Sequence, residues 1–171
     1  MQKIFQAISV VSAAVLNPTA SAETADQCFG RTYTDRHLAE HPDQLVTSMK
    51  LLVRFNAPSV NGQTLWGMSA TTRGRRETLF AIGLCHKDPP SDGHDLSCFA
   101  ECDTGDFRVK YRGEKSLLLS LGRMHFSSDC GDGPREVMIE GGVDDKLFRL
   151  DRLPATACKG LDEVRGVEGN E

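Results

Sequence analysis

Between residues 46 and 153 the chain is a close succession of short alternating or apolar runs, each ended by turn residues. This punctuation constrains the fold more than any other feature. VTSMKLLVRF (46–55) sets Thr47, Met49, Leu51, Val53 and Phe55 against Val46, Ser48, Lys50, Leu52 and Arg54. A period of two with one apolar set predicts a half-buried strand. APSVNG (57–62) supplies turn residues, and QTLWGMSATT (63–72) is the next strand candidate. RGRR follows with Gly74 available for a hairpin tip. Further strands are expected in ETLFAIGLCH (77–86), LSCFAEC (96–102), FRVKYRG (107–113), EKSLLLSLG (114–122), RMHFSS (123–128), EVMIEGG (136–142) and KLFRLDRL (146–153). In the last of these, Leu147, Arg149 and Asp151 alternate with Phe148, Leu150 and Arg152. No strand–helix alternation interrupts the series. The expected fold is therefore all-β, an antiparallel barrel or sandwich of about 7–9 short strands.

One short helix precedes them. In RTYTDRHLAEHPDQLV, Thr34 is placed to cap a helix and Asp35 suits its positive end. Pro42 pushes His41 out of the helical region, so the helix should run over 35–40.

The N-terminus reads as a secretory signal over residues 1–22: Lys3, an apolar run from Ile4 to Leu16, a break at Asn17-Pro18, then Ala20-Ser21-Ala22. That run is shorter than the roughly 20 residues a membrane helix needs, and no later run is longer. The expected organisation is a signal at 1–22, one disulfide-containing β domain at 23–158, and a polar tail at 159–171. The chain has a formal charge of −4 with both signs mixed. It lacks the broad cationic field that nucleic acid would need.

Six cysteines, at 28, 85, 98, 102, 130 and 158, all follow the signal. An even number in an exported chain points to disulfides. Cys98 and Cys102 sit four apart in LSCFAEC. On a strand that separation is roughly 13 Å, whereas a disulfide needs Cα atoms within about 7 Å. Each must then pair elsewhere. A hairpin of 77–86 with 96–102 brings Cys85 near one of them, with Cys98 favoured as closer to the loop. Cys28 and Cys158 bracket the core and are placed to clasp its ends. Cys102 with Cys130 would complete that set. A redox pair would require C-x-x-C rather than C-x-x-x-C. A zinc site from His86, His94, Cys98 and Cys102 has an unusual spacing, and oxidised cysteines are not ligands.

Other candidates are weighed on residue type and spacing. Arg73, Arg75 and Arg76 cluster at the expected hairpin tip, where they could meet an anionic glycan, a phosphate or an acidic partner. His37 and His41 form H-x3-H, the alternative metal pair, but Leu38 stands where a metalloprotease helix carries glutamate. Asp103 and Asp106 lack the calcium-loop pattern and read as a turn, as do Asp129 and Asp132. Ser91, His94 and Asp95 share one loop, which alone does not make a triad. No G-x-S-x-G, P-loop or G-x-G-x-x-G is present.

CFGRTYTDRHLAEHPDQLVTSMKL, with CFAECDTGD and the closing FRLDRL…C, resembles small exported cysteine-containing proteins of Gram-negative bacteria. The resemblance implies a periplasmic home and carries over no catalytic residue. The leading expectation is a binding or envelope-associated module without catalytic activity or cofactor. Its partner would be an envelope protein, a glycan or a small ligand. The competing expectation is a small periplasmic metal-binding protein or hydrolase using His37, His41, His86 or His94.

Overall fold

The computed structural model describes residues 26–100, 105–126, 137–140 and 146–162. The signal segment, Cys102, Asp103, Asp129, Cys130, Asp132 and the end of the tail lie outside the described residues.

Among the described residues there are nine strands: β1 (Gln27–Thr32), β2 (Val46–Ala57), β3 (Gln63–Thr72), β4 (Leu79–Lys87), β5 (Leu96–Ala100), β6 (Gly105–Tyr111), β7 (Ser116–Phe126), β8 (Val137–Glu140) and β9 (Leu147–Leu153). All pairings are antiparallel. β1 to β6 pair in sequence order, β6 pairs with β7, β7 with β9, and β9 returns to β1. This closes an eight-stranded barrel and decides between the two architectures expected. β8 lies outside the ring and pairs with β7 from Arg123 to Phe126.

Eight strands enclose an interior just wide enough for side chains to fill. The inward positions of the alternating runs fill it. Met49, Leu51 and Val53 of β2 meet Trp66 and Met68 of β3, Phe107 and Val109 of β6, and Phe148 and Leu150 of β9 in one cluster. Charged residues such as Lys50 and Arg108 face outward and are exposed. This is the reverse of the distribution in a barrel that faces lipid. No helix among the described residues is long and apolar enough to cross a membrane.

Trp66 shows how tightly the interior is closed. Its indole Nε1 donates to the Phe99 carbonyl oxygen at 3.1 Å. That carbonyl occupies the place a Cβ on Gly83 would take, 2.0 Å from it. A side chain at Gly83 would displace the acceptor that satisfies the buried indole.

The strand reading departs from expectation in two places. β1 was not foreseen, because both of its faces are covered and its apolar pattern does not alternate. Phe29 enters the main core, while Cys28 faces the opposite side. EKSLLLSLG and RMHFSS are a single strand, β7. One long strand is needed because β7 changes partner along its length. Ser116–Ser120 pair with β9 and Arg123–Phe126 with β8.

Two disulfides join described residues. Cys85 and Cys98 lie directly opposite on β4 and β5. Cys28 and Cys158 are joined across a sequence separation of 130. The second holds the segment around Cys158 against the outside of the barrel. Cys28, Leu52, Cys158 and Leu161 form a small separate core there. Leu52, on the polar face of the β2 pattern, is thus buried. The packing continues past Cys158 into the segment expected to begin the tail. Leu161 is buried against β3, and a Cβ on Gly67 would lie 1.6 Å from the Leu161 carbonyl oxygen. Asp162 accepts from Arg54 Nη1 at 2.5 Å. The same guanidinium makes a two-pronged bond to Asp26, with Nε at 2.7 Å and Nη2 at 2.5 Å. Those hydrogen bonds hold the Asp26 carboxyl below its ordinary pKa.

Candidate functional site

The barrel's interior is filled by side chains, and the strand register makes a gap at its rim. β1 and β9 pair only from Cys28↔Leu153 to Gly30↔Asp151. Beyond that, β1 follows β2, with Arg31↔Met49 and Thr32↔Ser48. β9 follows β7 instead, with Arg149↔Leu118 and Leu147↔Ser120. The strands diverge, and helix α1 (Asp35–Glu40) stands beside the opening. The resulting cleft has a volume of about 530 Å³.

Its α1 side is set by local sequence. The Thr34 hydroxyl accepts from the His37 backbone N–H at 3.3 Å, and His41 closes the helix as its C-cap. Both features agree with the sequence reading. The i, i+4 spacing and the tight exit stack the His37 and His41 rings, with centroids 4.4 Å apart. Tyr33 stacks on the other side of His37 at 4.8 Å, and the Arg31 guanidinium lies over Tyr33 at 5.3 Å. Arg31, Tyr33, His37 and His41 thus form one continuous ladder along one wall.

Gln44, buried beneath, orients the ladder. Its Nε2 donates to the Val46 carbonyl at 2.6 Å, which leaves its Oε1 facing His37 Nε2 at 3.1 Å. An acceptor there places a proton on His37 Nε2. The opposite wall comes from β7 and β9. Ser120 contributes a hydroxyl, Leu147 an exposed apolar side chain, and Lys146 and Arg149 two cations. Among the described residues Arg149 pairs with Asp151 at 3.2 Å. No Asp or Glu lines the cleft among the described residues.

The arginines expected at a hairpin tip make different contacts. Gly74 sits in the turn with φ of 75°, but Arg73 points back to the helix. Its Nε donates to the Gln44 carbonyl at 2.7 Å, and its Nη2 donates to the carbonyls of His41, at 2.9 Å, and Leu38. Helix ends leave carbonyls without intrahelical partners, and a guanidinium fork satisfies several at once. Arg73 therefore positions the segment that carries His41 and Gln44. Arg75 pairs with Glu77 at 3.0 Å on the exposed turn, and Arg76 is exposed beside it.

The remaining candidates lie elsewhere. His86 stacks on Phe99 at 5.3 Å and has Asp88 at 3.5 Å. Cys98 is oxidised. The Ser91 hydroxyl donates to Asp92. Asp95 accepts from the Tyr111 N–H at 2.7 Å and pairs with Lys110 at 3.6 Å. Asp106 begins β6. Among the described residues, no group of three or more His, Cys, Asp or Glu side chains is placed to hold a metal.

Arg31, Tyr33, Gln44, Ser120, Lys146, Leu147 and Arg149 carry no local motif. Their convergence comes from pairing between distant segments, and only the His37/His41 spacing pointed toward it. Comparison with family models, with curated proteins and with solved structures finds no match.

Proposed function

We propose that the protein is an exported, non-catalytic binding module whose ligand site is the rim cleft between β1, α1 and β9. The observation that carries this reading is the cleft itself. It is a recess of about 530 Å³ beside a barrel whose own interior is filled by side chains. Small-molecule sites typically occupy about 300–1,000 Å³ and combine apolar surface with a few placed polar groups. Here Leu147 supplies the former, and Ser120 and the ring ladder supply the latter. The ladder is held by capping, stacking and Gln44, so the site is largely preorganised. The two disulfides, together with the signal pattern of residues 1–22, support an oxidising compartment such as the periplasm.

A thermal-shift panel of uncharged, anionic and cationic small molecules tests the reading. At least one class should raise the melting temperature of the wild-type protein in a saturable way. That shift should be lost in Ser120→Phe, which places a ring in the cleft from a half-buried strand position. No stabilisation by any class, or a shift that survives Ser120→Phe, would contradict the reading.

A further inference from the structure

We infer that the rim cleft takes a small molecule bearing two or more oxyanion groups, carboxylate or phosphate. This rests on the binding reading above and names its ligand class. Arg31, Lys146 and Arg149 bring three permanent cations to one recess, and no carboxylate lines it among the described residues. Among the described residues, Arg149 is the one of the three with an ion-pair partner, and that pair is exposed and screened. The whole chain nevertheless carries a formal charge of −4. A positive recess on an acidic molecule concentrates small anions, while the surrounding surface repels a long polyanion.

The ladder restricts the ligand's chemistry further. Arg31 lies over Tyr33, Tyr33 stacks on His37, and His37 on His41. Faces used in this way are closed to the stacking that neutral planar or sugar ligands rely on. The Arg31 guanidinium keeps its edge, and an edge-on guanidinium is a two-pronged donor for carboxylate or phosphate. Arg149, whose Nε and Nη2 both face Asp151, has its Nη1 side left for a ligand, while Lys146 offers a point charge and Ser120 a hydroxyl donor. A single carboxylate would leave most of this charge unbalanced, whereas two or more oxyanion groups match it. Leu147, 55% exposed at the cleft, is available to the ligand's carbon frame.

Calorimetric titration of the full exported chain at low ionic strength tests the inference. Citrate represents polycarboxylates, pyrophosphate represents phosphates, and glycerol is the uncharged control. At least one anion should bind saturably and glycerol should not. Affinity should fall at least tenfold in the double variant Lys146→Gln/Arg149→Gln, and likewise in Arg31→Gln. The double variant Arg75→Gln/Arg76→Gln, on the exposed turn, should bind as the wild type does. The anion that binds identifies the headgroup. Absence of saturable binding by both anions would overturn the inference, as would unchanged affinity in folded Lys146→Gln/Arg149→Gln and Arg31→Gln. If an uncharged molecule stabilises the protein through Ser120 while neither anion binds, the inference fails and the binding reading stands. If no molecule of any charge binds, both fall.

Discussion

At the scale of single residues, two side chains join distant parts of the chain and each gives a measurable expectation. Arg73 leaves the β3–β4 turn to donate to three carbonyls at the end of α1. These bonds are exposed or part-buried, so water can replace a lost donor and each contributes a net of about 0.5–1.5 kcal/mol. Arg73→Gln should therefore lower unfolding stability by roughly 0.5–1.5 kcal/mol in denaturant titration. It should also weaken ligand binding, because His41 and Gln44 lose their clasp. Arg75→Gln, at an exposed pair, should change stability by less than about 1 kcal/mol. Arg54 bonds Asp26 and Asp162 together. The hydrogen bonds from Arg54 lower the Asp26 pKa, so the folded state holds its proton less tightly than the unfolded chain. The associated stability is fully present above the ordinary aspartate range and is lost as pH falls through the lowered folded value. Asp26→Asn should be less stable than wild type at pH 7, and urea midpoints should converge below the ordinary carboxylate range. A constant gap down to strong acid would contradict this assignment.

At the scale of elements, the segment just after Cys158 and β3 fit against one another through an absent side chain. A Cβ on Gly67 would meet the Leu161 carbonyl oxygen at 1.6 Å, and that atom is backbone fixed by the neighbouring Cys28–Cys158 bridge. Gly67→Ala should cost about 1–3 kcal/mol, the usual range for overpacking. It should also raise amide exchange at Leu161 and Asp162 ahead of the barrel strands. The elements also show what a sequence can disclose. Thr34, Asp35 and Pro42 act on their own neighbourhood, so the helix was readable, as were strands with one wet face such as β6 and β9. β1 was hidden because Cys28 and Phe29 are both buried, on opposite faces, by segments far along the chain. β7 was divided at Gly122 because a partner change on a continuous strand looks like a turn. The cleft was the least legible feature. Arg31, Ser120 and Arg149 are unremarkable alone and meet only because β1 and β9 separate after Gly30↔Asp151.

At the scale of the whole molecule, closure is what joins these parts. β9 returns to β1 at the far end of the sequence, and Cys28–Cys158 spans the same distance beside that seam. In the loop-entropy account, a link over 130 residues contributes about 5 kcal/mol, while the 13-residue separation of Cys85 and Cys98 contributes about 3 kcal/mol. Cys28→Ser/Cys158→Ser should therefore be the more destabilising double variant in equilibrium unfolding. It should also loosen the pairing of β1 with β9. Since the cleft exists where that pairing ends, ligand affinity should fall with it. Cys85→Ser/Cys98→Ser, on the strands away from the cleft, should lower stability and leave affinity closer to that of the wild type.

The opening between β1 and β9 is the proposed place where this protein meets its ligand. Backbone amide chemical shifts followed during titration with citrate or pyrophosphate locate that contact. Saturable shifts should concentrate at Arg31–Tyr33, His37, Ser120 and Leu147–Arg149, with the β3–β4 turn at Arg75 and Arg76 silent. Shifts centred on that turn, spread evenly over the surface, or absent throughout would overturn the proposal.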